Sequence, residues 1–240
     1  MGNGNPAIPV QPAPFRHRLT NLERALSRSG PVKIVAIGSS TTAGEGGIPP
    51  YPVRLEAALR AKYGDRISVL NKGIGGQEAP VELARLQTDV INEAPALVIW
   101  QVGTNAVWNG DSLEETAAAI RYGLQRLSQG PMDVILMDLQ YVPAVITPNR
   151  IDAANMMAKL IAEAAAKAEP PVNVFQRFAM MRDWHDIERI SFDRMLDPTD
   201  PARLHHSDWS TERLAYAVCK DRGRAASAKD LGRYLDARFA

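Results

Sequence analysis

Cysteine is nearly absent from this chain of 240 residues, which contains Cys219 alone. A single thiol cannot form an internal disulfide, and it excludes every metal cage built from several cysteines. Because Cys219 lies in an apolar, helical stretch, we interpret it as a small buried residue. The phosphate-loop pattern Gly-x4-Gly-Lys-Ser/Thr is also absent, which disfavours a nucleotide hydrolase.

Charge of one sign and long apolar runs are lacking as well. The chain has 28 Lys and Arg against 27 Asp and Glu, and without a basic patch a nucleic-acid binder is disfavoured. No apolar run approaches the roughly 18–20 residues of a membrane span. Residues 1–14 are rich in Pro and Gly and have no apolar signal core, and we expect them to form a flexible lead-in. We therefore expect a cytoplasmic protein, or an exported one if the chain is a processed form.

Short apolar runs alternate with helical patterns from residue 15 onward. Strands are predicted at Val32–Ile37, Ile67–Leu70, Leu97–Val102, Val134–Met137 and Val172–Phe175. Helices are predicted at Phe15–Ser29, Tyr51–Tyr63, Val81–Asn92, Ile151–Ala168, Trp209–Lys220 and Lys229–Phe239, with a further helix capped by Ser112 and Glu115. Gln176–Leu204 is irregular, with one helical turn near Met181–Ile187. This alternation predicts one α/β domain over residues 15–240, with a doubly wound, five-stranded parallel sheet.

Small polar motifs follow the first three strands, namely Gly38-Ser39-Ser40, Asn71 to Gly76, and Gly103-Thr104-Asn105. The carboxyl ends of parallel strands share one edge of the sheet, so we expect Ser40, Gly76 and Asn105 to converge. A serine hydroxyl attacks an acyl carbon when a base removes its proton. The backbone amides of Ser40 and Gly76 and the Asn105 carboxamide are suitable donors to the resulting oxyanion.

A base is available late in the chain. The histidines are His17, His185, His205 and His206. The last two stand together in an Asp-containing loop just before a helix. These residue types complete the set that serine-based acyl transfer needs.

The three strand-end motifs and the loop of His205 and His206, in this order, resemble the four sequence blocks of the SGNH hydrolase superfamily, also called GDSL-type esterases and lipases. The family block Gly-Asp-Ser-Leu corresponds to residues 38–41, which places the nucleophile at Ser40. The resemblance implies oxyanion donors at Ser40, Gly76 and Asn105 and a base at His205, with His206 as its variable neighbour. It also implies a flavodoxin-like three-layer fold. The implied activity is a serine esterase that needs no metal or organic cofactor and acts on a small-molecule or carbohydrate-linked ester.

Two positions depart from the family pattern. Ser39 stands where the family has aspartate. The Asp-x-x-His block would place its acid at residue 202, which is alanine. We predict that Asp200 orients His205 instead, with Asp197, or a backbone carbonyl in a Ser–His dyad, as alternatives. Trp108, three residues past Asn105, is predicted to line the substrate pocket.

Other functions fit part of the pattern. A carbohydrate O-acetyl esterase and an acyltransferase would use the same site. The missing aspartate at position 202 prompts a third hypothesis, an SGNH fold that has lost activity and serves as a binding module. Residues 39–44 also resemble a flavodoxin-type phosphate loop for FMN, although that hypothesis leaves Asn105 and the late histidines unexplained. The sequence indicates no particular oligomeric state.

Overall fold

A five-stranded parallel sheet forms the centre of the molecule, whose computed structural model describes residues 15–225. The strands are β1 (Val32–Gly38), β2 (Ile67–Gly73), β3 (Leu97–Gln101), β4 (Asp133–Met137) and β5 (Asn173–Phe175). They lie in the order β2-β1-β3-β4-β5, and all neighbouring strands are parallel. The predicted α/β fold with a five-stranded parallel sheet is therefore confirmed.

Helices cover both faces of this sheet. They are α1 (Thr20–Ser27), α2 (Ser40–Ala43), α3 (Tyr51–Tyr63), α4 (Ala79–Asp89), α5 (Thr104–Asn109), α6 (Leu113–Leu127), α7 (Ile151–Lys167), α8 (Arg177–Asp186), α9 (Phe192–Met195) and α10 (Asp208–Ala225), with a 3-10 turn at Ile91–Glu93. Helices α4, α6 and α7 pack side by side, and α3 packs against α10. The chain steps from β1 to β2 in the direction opposite to its later steps, so right-handed crossovers place these two groups on opposite faces.

The central strands are buried on both faces, as their apolar sequences predict. All five residues of β3 are buried, including Trp100, which has no exposed surface. The Trp100 indole N–H donates to Glu82 Oε2 at 2.7 Å. Because the strands themselves are largely apolar, the polar residues of the candidate site lie beyond the strand ends.

The irregular segment 176–204 is more helical than its sequence pattern predicts. We expected one turn near Met181–Ile187, which is wrong in extent, because α8 runs over ten residues and α9 follows it. The inner face of α8 combines Phe178, Met181 and Trp184 with a fully buried arginine, Arg177. A charged residue on the buried face hides the helical period from a reading of apolar spacing.

Two predicted segments lie outside the described residues: the lead-in at residues 1–14 and the helix at Lys229–Phe239. The predicted helix Trp209–Lys220 lies within α10. Among residues 15–225, no helix combines the length and the hydropathy that crossing a bilayer requires.

Candidate active site

Ser40 lies at the carboxyl edge of the sheet, two residues after β1 ends and at the first position of α2. The turn that carries it is held by Gln101, the last residue of β3. Gln101 Oε1 accepts hydrogen bonds from the Ser39 backbone N–H at 3.2 Å and from the Thr42 hydroxyl at 3.0 Å. Gly38 makes room for this amide, because a Cβ there would lie 2.8 Å from Gln101 Oε1.

His205 stands between Ser40 and Asp200. Its Nε2 atom lies 3.0 Å from Ser40 Oγ, and its Nδ1 atom lies 2.9 Å from Asp200 Oδ2. When Asp200 is ionised, Nδ1 carries the ring proton and donates a hydrogen bond to Oδ2. Nε2 is then an acceptor for the Ser40 hydroxyl, which is the arrangement of a serine–histidine–aspartate triad.

Asp200 also accepts three backbone hydrogen bonds within its own loop. Oδ1 accepts from the Ala202 N–H at 2.9 Å, and Oδ2 accepts from the N–H groups of Leu204 at 2.8 Å and His205 at 2.7 Å. Burial alone would raise the pKa of Asp200, but these N–H groups and the nearby imidazole lower it below its ordinary value. The carboxylate is therefore the stable form of Asp200.

The loop around Asp200 is closed by backbone pairing at its ends. Leu196 and His206 form an antiparallel bridge, and the Asp197 N–H donates to the His205 carbonyl at 3.0 Å. Asp197 Oδ1 accepts from the Thr199 backbone N–H at 2.8 Å and from its hydroxyl at 2.7 Å. The structure thus places Asp200, and not Asp197, against the imidazole.

The two adjacent histidines have different surroundings. His206 is buried, and neither of its ring nitrogens has a hydrogen-bond partner among the described residues. Burial, followed by the charges of Arg177 and His205, lowers the pKa of His206 well below its ordinary value, so its ring stays neutral. His205, with 23% of its side chain exposed, is the one that reaches Ser40.

The predicted oxyanion residues lie in the turns after β2 and β3. Gly76 has a φ of +77°, a backbone conformation that favours glycine. The turn passes beside the nucleophile, since a Cβ on Gly75 would lie 3.8 Å from Ser40 Cβ. Asn105 is buried in α5, and its Nδ2 donates one hydrogen to the Gln77 carbonyl at 2.8 Å. The second Nδ2 hydrogen has no acceptor among the described residues.

Gln140 is a residue of the site that the sequence analysis missed. Its Nε2 donates to the Leu204 carbonyl at 2.9 Å, and its Oε1 accepts from the Thr41 hydroxyl at 3.3 Å. One side chain thereby joins the turn of the nucleophile to the loop of the histidine. Its position after β4, at the same sheet edge as the other motifs, was the only signal in the sequence.

Glu78, at the start of α4, was missed for the same reason. It is buried and accepts hydrogen bonds from the backbone N–H of Ala79 in its own helix and from those of Gly103 and Ala106 after β3. Burial raises its pKa, against the effect of these N–H groups. Glu82, one turn further along α4, is buried as well. Burial and then the charge of Glu78 raise the pKa of Glu82 to about 8. Burial therefore favours the protonated form of both glutamates, whereas the backbone N–H groups that donate to Glu78 favour its ionised form.

The cavity beside Ser40 is small, about 10 Å³, which is room for one water-sized group. Its lining includes Thr41, Glu45, Ile48, Pro50, His205 and Thr211. Trp108, predicted to line the pocket, instead has its ring 4.5 Å from the Arg150 guanidinium and is not part of this lining. Among residues 15–225 there is no group of three or more His, Cys, Asp and Glu that could hold a metal ion.

Solved structures of esterases share this fold. A catalytic mutant of Axe2, an acetylxylan esterase from Geobacillus stearothermophilus, superposes with a TM-score of 0.68 at 21% identity, covering 81% of this chain and 95% of Axe2. LAE5, an α/β hydrolase from the metagenome of Lake Arreo, Spain, superposes with a TM-score of 0.66 at 21% identity, covering 84% of this chain and 100% of LAE5. At identities this low, the superpositions establish the common fold alone.

Comparison with sequence families gives one match over most of the chain. The model of the non-GDSL lipase-like family matches residues 6–220, a range that contains every residue of the site described above. No curated protein matches the chain.

Proposed function

Because the chain belongs to the non-GDSL lipase-like family, we propose that it is a serine esterase that hydrolyses carboxylic esters through an acyl-enzyme. One observation carries the proposal: His205 lies within hydrogen-bond distance of both Ser40 Oγ and Asp200 Oδ2. A hydroxyl next to an oriented base is the arrangement that nucleophilic catalysis requires. A closed loop that holds a deprotonated carboxylate against the imidazole supports activity over the lapsed binding module.

In the proposed acylation step, Ser40 Oγ attacks the ester carbonyl carbon while His205 Nε2 takes the hydroxyl proton. The tetrahedral intermediate collapses when His205 gives that proton to the leaving alkoxide, which departs as the alcohol. Water then attacks the acyl-enzyme, with His205 again taking and returning the proton, and the carboxylic acid is released. Asp200 remains ionised throughout and stabilises the imidazolium.

The negative oxygen of each intermediate needs hydrogen-bond donors. The second hydrogen of Asn105 Nδ2 and the backbone N–H groups of Ser40 and Gly76 are the proposed donors. The glycine-rich turn beside Ser40 and the buried position of Asn105 support this assignment. Removing one such donor typically costs roughly 10²–10³ in kcat.

A small acyl group is the proposed substrate feature. The cavity beside Ser40 has room for about one water-sized group, which favours a small acyl group such as acetyl over a long acyl chain. The fold is shared with an acetylxylan esterase, and an acetyl group on a carbohydrate is therefore the second candidate within the same mechanism. Transfer of the acyl group to a sugar hydroxyl would use the same residues.

The test is covalent labelling of the protein with a fluorophosphonate probe, which reacts with activated serines. We expect wild type and Ser39→Ala to be labelled and Ser40→Ala to be unlabelled with a native fold. Hydrolysis by Ser40→Ala should fall by more than about 10⁴. Labelling of Ser40→Ala, or loss of labelling in Ser39→Ala alone, would contradict the assignment. A series of p-nitrophenyl esters of increasing acyl length, together with acetylated sugars, tests the substrate.

A further inference from the structure

The two turns proposed to bind the oxyanion are not neighbours in the sheet. The Gly76 turn follows β2, the Asn105 turn follows β3, and β1 lies between these strands. No ladder of strand hydrogen bonds can therefore fix one turn against the other. Donors to an oxyanion must lie within narrow distance limits of a single oxygen atom. Some other contact has to set their separation.

Glu78 makes that contact. Its Oε1 accepts from the Gly103 backbone N–H at 2.8 Å, and its Oε2 accepts from the Ala106 N–H at 3.2 Å. In the opposite direction, Asn105 Nδ2 donates to the carbonyl of Gln77, the residue before Glu78. Residues 77–78 and 103–106 are thus joined in both directions across the edge of β1.

We propose that Glu78 is the positioning residue of the oxyanion site, holding the Gly76 turn and the Asn105 turn at the separation that one oxyanion requires. The inference rests on the proposed esterase function. Glu78 acts through the backbone and through Asn105, and it does not touch the substrate.

The hydrogen bonds that Glu78 receives suit a carboxylate, against the effect of burial on its pKa. Every hydrogen bond that it receives comes from a backbone N–H, so a protonated or amidated side chain would meet one of these donors with another donor. Glu82, the nearest acidic group, is neutral and accepts from the Trp100 indole. A negative charge on Glu78 repels a developing oxyanion. Removing that charge would raise kcat, whereas losing the position of the two turns would lower kcat.

Glu78 is also the N-cap of α4, since its Oε1 accepts from the Ala79 N–H at 2.9 Å. A cap alone would make Glu78 a residue of helix stability only. Aspartate caps helices as well, but its side chain is one methylene too short to reach Gly103 and Ala106 from the same backbone position. Glu78→Asp therefore retains the cap and removes the tie, and Glu78→Gln retains the length and introduces a donor.

The experiment measures kcat, KM and the inhibition constant of a trifluoromethyl ketone for wild type and three variants. Addition of Ser40 Oγ to the ketone carbon gives a hemiketal that mimics the tetrahedral intermediate. We expect kcat of Glu78→Asp and Glu78→Gln to fall by roughly 10- to 100-fold, the cost of misplacing a catalytic donor by about 1 Å. KM should change little, and the inhibition constant should rise by the same factor as kcat falls. Glu82→Gln, the matched control, keeps an acceptor for Trp100 and should retain wild-type kcat.

The outcomes separate the two proposals. Wild type that hydrolyses no ester overturns the proposed function. Active wild type with an unchanged kcat in Glu78→Asp overturns the positioning role and leaves a helix cap. A kcat that rises in Glu78→Gln would mean that charge dominates, and it would overturn the inference as well. If Glu78→Gln does not fold, Glu78→Asp, which keeps the cap, decides the question.

Discussion

Asp200 and Glu78 are two acidic residues of the candidate site with similar hydrogen bonding. Each accepts hydrogen bonds from several backbone N–H groups and so fixes the shape of a turn. Asp200 takes its partners from residues 202–205 of its own loop. Glu78 takes most of its partners from residues 103–106, which lie 25 to 28 positions away in the chain.

The two carboxylates also differ in their response to burial. Burial is the largest influence on both pKa values, and in Asp200 it is overcome by N–H groups and the imidazole, so the pKa is lowered. In Glu78 burial prevails, and the pKa is raised. The histidine side of the site is therefore a local, partly exposed structure. The proposed oxyanion side is buried, and its contacts join turns that follow two different strands.

The largest expected effect tests the histidine side. Asp200→Asn keeps the size of the side chain but favours the wrong imidazole tautomer, so kcat should fall by up to about 10⁴. Steady-state kinetics on a small ester measure this loss. Asp197→Asn is the matched control in the same loop, and it should retain most of the activity because Asp197 bonds to Thr199. Losses below about tenfold in both variants would mean that neither aspartate orients His205.

The next effect tests the oxyanion side. Asn105→Ala removes a proposed donor to the intermediate, so kcat should fall by roughly 10²–10³ with little change in KM. The same variant should bind the trifluoromethyl ketone more weakly. A large rise in KM at constant kcat would instead make Asn105 a substrate-binding residue, and the two sides would then differ in function as well as in structure.

The smallest effect concerns stability, and its two parts have opposite signs. A lowered pKa at Asp200 means that its contribution to stability is complete above the ordinary aspartate pKa and is lost as pH falls. A pKa of Glu82 raised to about 8 means that folding holds a proton, so stability is lost as pH rises from about 4.5 to about 8. Asp138, whose pKa burial raises to about 7, adds to this second slope.

Thermal unfolding between pH 3 and 9 measures both slopes, roughly 1 kcal/mol per pH unit for one proton, or a few degrees in Tm. Asp200→Asn should flatten the acid side of the curve, and Glu82→Gln should flatten the alkaline side down to the part that Asp138 and Glu78, whose pKa values burial also raises, contribute. If Glu82→Gln left the alkaline slope unchanged, the proton would not reside on Glu82.

The same contrast between local and distant contacts explains what the sequence could predict. The five strands were recognisable because each buried strand is a short apolar run bounded by turns, as Leu97–Gln101 shows. The α8 helix was not, because Arg177 interrupts its apolar face with a charge that only tertiary contacts satisfy. Its Nε donates to the Asp138 carbonyl at 3.0 Å, a contact over 39 positions.

Within the site, the motifs after the strands indicated Ser40 and Asn105. His205 was indicated by its place in a loop before a late helix and by the family resemblance, which also predicted its proximity to Ser40. Gln140 and Glu78 could not be expected, since most of their partners lie far away in the chain. An exposed glutamate at a helix start also looks the same in sequence. Whether Ser40, His205 and Asp200 are catalytic stays a prediction until the variants are measured.

Leu196 and His206 pair through their backbones at the ends of the histidine loop. Because of this pairing, the number of residues in the loop does not set the position of the His205 imidazole. Closing a longer loop is inexpensive, since each doubling of length costs only about 0.6 kcal/mol. A carboxylate five positions before His205 can thus replace one three positions before it, and Ala202, at the family's acid position, donates its N–H to the displaced carboxylate. Insertions and deletions inside this loop can therefore shift the acid along the chain while the imidazole keeps its place.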